Sequence, residues 1–186
     1  MAKLLQQFSG EFPQAHDVQN QIDEILTNTN GENIPIGAEV DIQAIKQTIG
    51  FRAQLSANQE NLSSDNWHTV LFDTDVFDYG SGFDTANNKF VAPAAGMYFL
   101  GAHLYWNPAV ADKRYLCGIY NGGTRLYMSS DHNTSTNYII SNTGGIAVLS
   151  EGDEITVQAY HNDGVGTSDI FSDAETNFFG YYIGSV

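Results

Sequence analysis

Residues 72–102 read FDTDVFDYGSGFDTANNKFVAPAAGMYFLGA. Phe72, Asp78, Phe83, Phe90, Gly96, Tyr98 and Leu100 fall at set intervals, and the residues between them favour reversals of the chain. Asn87-Asn88 and the run Pro93-Ala94-Ala95-Gly96 are turn signals, because Asn and Gly tolerate positive φ and Pro presets a bend. Beyond Gly96 the chain reads as one apolar strand. Tyr98, Leu100, Ala102, Leu104 and Trp106 occupy one alternating set, and Met97, Phe99, His103 and Tyr105 make the other set largely apolar too. A strand apolar on both faces must be covered on both. In a two-sheet sandwich the opposite sheet covers one face, and a neighbouring subunit is the simplest cover for the other.

Working outward, the hydrophobic period is two from Gly50 onward. Phe51, Ala53 and Leu55 alternate with Arg52, Gln54 and Ser56, which predicts a first strand. The polar run 58–66 reads as a loop, and Trp67 to Phe72 as the start of the next strand. Further strands are expected at Arg114–Tyr120, Thr124–Ser129, Tyr138–Leu149, Glu154–His161 and Asn177–Val186, with Asn121-Gly122-Gly123 as a hairpin turn. The chain is therefore all-β.

The spacing Phe-x5-Asp-x4-Phe-x6-Phe-x5-Gly-x-Tyr-x-Leu over residues 72–100 resembles the signature of the C1q head domain, within the C1q/tumour-necrosis-factor superfamily. Leu149-Ser150-Glu151-Gly152-Asp153-Glu154-Ile155 resembles that family's Leu-x-x-Gly-Asp-x-Val turn. Thr176-Asn177-Phe178-Phe179-Gly180-Tyr181-Tyr182-Ile183 resembles its closing strand. The likeness spans residues 50–186 and departs at Leu100 and Ala102, where the family usually has aromatics. It implies a jelly-roll sandwich forming a homotrimer, with calcium near the apex as in several C1q-like heads.

Residues 1–49 form a different module, rich in Gln and Asn and showing helical periodicity. Ala15, Val18, Ile22, Ile25 and Thr29 follow the spacing of a heptad seam, and Ala38, Ile42, Ile45 and Ile49 repeat it. Isoleucine at both seam positions favours three strands. A short trimeric stalk or attachment segment is expected there, with amphipathic turns packed on the head as the plainer reading.

The net charge of −15 argues against nucleic acid or an anionic membrane surface, both of which need clustered Lys and Arg. Cys117 is the only cysteine, so no intrachain disulfide forms and the thiol reads as a small core residue. The opening residues lack the apolar core of a secretory signal, and no window reaches the length of a membrane span.

Because the first and last strands of this jelly roll are neighbours, the stalk enters where the chain ends. Counting strands back places loops 107–113, 131–136 and 162–175 at the far end, the natural contact surface. Asn107, Asp112, Lys113, His132, Asn133 and Asn162 are the candidate ligand-binding residues. Asp131, Asp163, Asp169 and Asp173 are candidate calcium ligands, since carboxylates and loop carbonyls suit a hard cation better than zinc. The head carries 15 acidic and 5 basic side chains, a formal charge of −10. Solvated acidic loops are the alternative to an ion.

Enzymatic chemistry finds no motif. The five histidines include no His-x-His pair, and neither a Gly-x-Ser-x-Gly elbow nor Cys/His zinc spacing occurs. The sequence reads as a non-enzymatic trimeric binding or adhesion head. A fibre or spike of a phage or prophage virion, joined to other virion proteins through the N-terminal segment and recognising a surface glycan or protein, is the first reading. A bacterial cell-surface or extracellular matrix protein, or a trimerisation cap without ligand, are the alternatives.

Overall fold

In a computed structural model the structure describes residues 49–134, 137–164 and 168–186. The proposed seams between residues 15 and 45 lie outside them. The strands are β1 (Gly50–Gln54), β2 (Gln59–Leu62), β3 (Trp67–Thr69), β4 (Thr74–Tyr79), β5 (Phe83–Asp84), β6 (Lys89–Val91) and β7 (Gly96–Trp106), followed by β8 (Lys113–Asn121), β9 (Thr124–Asn133), β10 (Ile139–Leu149), β11 (Glu154–His161), β12 (Ser168–Ile170) and β13 (Asn177–Gly184).

The strands build two antiparallel sheets. In the seven-stranded sheet β7 is central, with β10 along one edge and β13, β1 and β4 in succession on the other, while β12 and β2 extend past Trp106. The six-stranded sheet runs β5-β6-β11-β8-β9, with β3 also on β11. The result is a jelly-roll sandwich.

Strand alternation decides what lies between the sheets. Tyr98, Leu100, Ala102, Leu104 and Trp106 are all fully buried and meet Tyr115, Cys117, Ile119, Ile155, Val157 and Ala159 from the facing sheet. Leu100 and Ala102, which stand where aromatics are usual, pack into this core without exposure. The aromatic volume comes from elsewhere: Phe51 stacks on Phe90 at 4.3 Å and meets Phe178 edge-on at 4.8 Å. Such pairs contribute about 0.5–1.5 kcal/mol each beyond burial.

The intervals of residues 72–100 are the demands of these turns and contacts. Both carboxylate oxygens of Asp78 accept from the Gly82 and Phe83 N–H groups and close the bend before β5. A Cβ at Gly96 would meet the Tyr182 ring and the Gly184 carbonyl. Gly122 and Gly123 both adopt positive φ, as a two-residue hairpin requires.

The polar run 58–66 contains β2, which a hydrophobic pattern could not show because only Leu62 of its four residues is buried. Likewise β12 lies inside the stretch read as the loop 162–175. These short strands pair with each other, so each is specified by its partner and not by its own pattern.

Candidate functional site

Ile49 O accepts a 2.9 Å bond from Tyr182 N, which sets the chain's entry beside its closing strand. At the other end of the sandwich the predicted loops are bonded to one another. Asn107 N donates to Asp169 O at 3.2 Å, Asp112 N to Asn133 O at 2.7 Å, and Arg114 N to Asn162 Oδ1 at 2.8 Å. Asn133 Nδ2 returns a bond to Val110 O. Asn133 is buried and Asn162 half-buried, so these side chains tie the loops together. Lys113 is half-buried; Asp112 and His132 are exposed.

Asp131, His132 and Asn133 belong to the end of β9 and not to a loop, because Tyr115, Arg114 and Lys113 pair with them across the ladder. Asp131 therefore turns one oxygen inward: its Oδ2 and Ser129 Oγ are buried without a hydrogen-bond partner among the described residues. Burial first, and then the charge of Asp131, push the Cys117 thiol far above its ordinary range. A thiol held protonated in this way is no nucleophile at neutral pH.

The other candidate calcium ligands are engaged separately. Asp163 is buried; its Oδ2 accepts from Ser168 Oγ at 2.5 Å and stands 3.1 Å from His161 Nδ1, without the geometry of a hydrogen bond between them. His161 Nε2 lies 2.9 Å from Leu62 O. This pair joins β11 of one sheet to β2 and β12 of the other. Asp169 Oδ1 accepts from Asn61 N at 2.8 Å. Asp173 is exposed, and the hydrogen bond its carboxyl shares with that of Glu175, followed by the one it accepts from the Ala174 N–H, holds it below the usual range. Among the described residues no three His, Cys, Asp or Glu side chains converge as metal ligands.

A second surface lies on the outward face of the seven-stranded sheet. Ile146 and Val148 of β10, Tyr181 and Ile183 of β13, and Phe77 and Tyr79 of β4 are all between 40% and 66% exposed. Phe99 of β7 stacks on Tyr181 at 5.5 Å. Beside this face, reaching Met128 and Ser129 of β9, is a cleft of about 440 Å³ lined by Phe99, Gly101, His103, Asn142, Thr143, Gly144 and Phe179. The glycines are needed there, since a Cβ at 101 would strike the Phe179 ring and one at 144 would come 2.5 Å from Leu100 O. Burial, with Arg52 nearby as a smaller cause, lowers the pKa of His103.

A jelly roll with its first and last strands paired, bonded loops opposite and one apolar outer sheet face is a C1q/tumour-necrosis-factor-like head. The sequence profile of the C1q domain matches residues 50–183, and the chain belongs to the C1q family. Among solved structures it is similar to the globular domain of zebrafish complement 1qA protein, with 16% identity, 75% of this chain and 100% of that one covered, and a TM-score of 0.54. Murine APRIL at pH 5.0 gives 15% identity, 74% and 100% coverage, and a TM-score of 0.57. Eiger TNF from S. frugiperda gives 15% identity, 75% and 94% coverage, and a TM-score of 0.51. No curated protein sequence matches the chain.

The buried His161–Asp163 pair and a group of rings on the six-stranded sheet were not singled out by the sequence. Strand parity carried the second signal: Tyr120 and Tyr160 alternate with the core residues Ile119 and Ala159, so both face outward.

Proposed function

We propose that the chain is a non-enzymatic binding head that assembles as a homotrimer through the outward face of its seven-stranded sheet and presents the bonded loop end to a surface ligand. The observation that carries this is the broad apolar face. Large side chains from three strands, β4, β10 and β13, stand open there, and soluble monomers rarely leave such patches uncovered. A three-fold assembly joins two different patches of each copy. The glycine-lined cleft near β10 and the aromatic edge at Phe77 and Tyr79 are two such patches.

Light scattering on the full chain tests the assembly. A mass of three 20.4 kDa chains supports it, and a folded monomer overturns it. Ligand contact at the loop end is tested by exchanging Asp112 and His132 for Ala and measuring binding to cells; unchanged binding removes the loops from the site. The virion setting rests on composition alone: a single cysteine and no Gly-X-Y repeat. Calcium at the loop end rests on the head's −10 charge. Equal melting curves in calcium and in chelator would remove it, because an ion bound only by the folded state must raise stability.

A further inference from the structure

Trp67 of β3, Tyr120 of β8 and Tyr160 of β11 stand together on the outward face of the six-stranded sheet. Trp67 pairs with Tyr160 across the β3–β11 ladder, and Tyr120 with Thr156 across β8–β11. The Trp67 ring lies 5.3 Å from that of Tyr160 and 5.8 Å from that of Tyr120. Trp67 is 39% exposed, whereas Trp106 is fully buried with its Nε1–H on Ser141 Oγ. The core has no use for these three rings.

The rings are held in place. Tyr160 donates its hydroxyl to Asp65 Oδ1 at 3.0 Å, while Asp65 accepts from Ser64 Oγ and sends its own N–H to His161 O. Tyr120 lies against Gly118: a Cβ at that position would come within 2.7 Å of Tyr120 Cε2. Gln158 pairs with Gly118 on the same face, and its side-chain amide makes no hydrogen bond to another described residue.

We propose that this surface is a saccharide-binding site for a neutral pyranose. The ligand would lay its C–H face on Trp67 and exchange hydroxyl hydrogen bonds with the Gln158 amide, which both donates and accepts. The surroundings select this ligand. A polyanion is opposed by the head's net charge of −10. Three rings and the neighbouring Met128, bounded by polar side chains, give far less than the roughly 1,200 Å² a stable protein interface buries. A sugar needs only an apolar face beside fixed polar groups, and such groups are what the site holds. The inference is independent of both the trimer and the loop end, and adds a second contact surface on the sheet.

The chain holds two tryptophans, of which one is at the site, so emission of the full chain reports binding. Titration with lactose, chitotriose, maltotriose and cellotetraose, with a proline-rich peptide alongside, should give a saturable shift with at least one saccharide. By calorimetry Trp67→Ala and Gln158→Ala should each weaken that saccharide about tenfold, or about 1.4 kcal/mol. Asp75→Ala, an exposed position on β4 of the other sheet, should leave it unchanged. Gln158→Ala removes no core contact, so it keeps the test valid if Trp67→Ala fails to fold. Saturation by none of the four sugars, saturation by the peptide alone, or binding kept in full by both Trp67→Ala and Gln158→Ala would overturn the proposal.

Discussion

The outward faces of the two sheets are built from the same strand alternation yet carry opposite surfaces. On the seven-stranded sheet the apolar residues run from Val148 across Phe99 to Tyr181 and, past Gly50 and Arg52 of β1, resume at Phe77 and Tyr79, with a cleft opened by backbone glycines beside them. On the six-stranded sheet the apolar residues shrink to three rings around Gly118 with Met128 and Leu116 beside them, set among Gln158, Arg114, Ser130 and His132. A broad face gains from being covered by another protein surface, since the transfer term grows with area at about 25 cal/mol per Å². An island of rings gains more from a small polar ligand with one apolar side. The assembly and the saccharide site proposed above thus fall on opposite faces of one fold.

The change expected to break this contrast most severely is Tyr181→Asp. Tyr181 is 53% exposed in the single chain, so a charge there leaves the monomer folded, but in an assembled head it would be desolvated at the centre of the interface. Loss of a central aromatic commonly costs 2 kcal/mol or more, as a rough scale. Light scattering should find the mass reduced to one chain; retention of the trimer would take that face out of the interface.

A change between the sheets should act on stability and leave both faces as they are. Asp163→Ala leaves Ser168 Oγ without its acceptor and His161 Nδ1 without its neighbouring charge, both in the buried seam joining β11 to β2 and β12. Unfolding in urea should show a loss of about 3 kcal/mol. Stability equal to the parent would show that the seam carries no strain when the pair is broken.

Gly118→Ala sharpens the contrast from the other side. The new methyl must displace the Tyr120 ring, at about 1 kcal/mol by the scale of overpacking. Saccharide binding should weaken while the mass of the assembly stays the same. A change in mass would tie the rings to assembly.

The smallest expected effect is on pH. His103 has its pKa lowered below 6.5 by burial and, secondarily, by Arg52. The unfolded chain then takes up the proton first, so this contribution is complete above about pH 6.5 and is lost as the pH falls through that value toward the folded pKa. Melting temperatures across this window should fall with pH, and His103→Gln should flatten that part of the slope.

Much of the head was legible in the sequence. The alternation of Tyr98 to Trp106 with Phe99 to Tyr105 already stated that one strand has two apolar sides, and the turns at Asn87-Asn88 and Gly122-Gly123 bounded its neighbours. The loop end was reachable by counting strands. What lay beyond this reading was pairing between distant short segments: β2 with β12, and His161 with Asp163 and Leu62. No local pattern marks such contacts, because each partner is polar and gains its place only when the other is present.

The carboxylates show the same division. Asp131, Asp163, Asp169 and Asp173 look alike in a sequence, four acidic residues near one end. In the fold one turns an oxygen into the sandwich, one is buried beside a histidine, one accepts from Asn61 N and one accepts from the next residue's N–H. Periodicity and turn chemistry are local, and through them residues alone specified an all-β head, its central strand and the side of each residue. Which outward face is broadly apolar, where the glycine-lined cleft opens and which acids find partners depend on strand order across the sheets. Strand order is a long-range property, decided only when segments more than a hundred residues apart come to lie side by side, as β1 and β13 do.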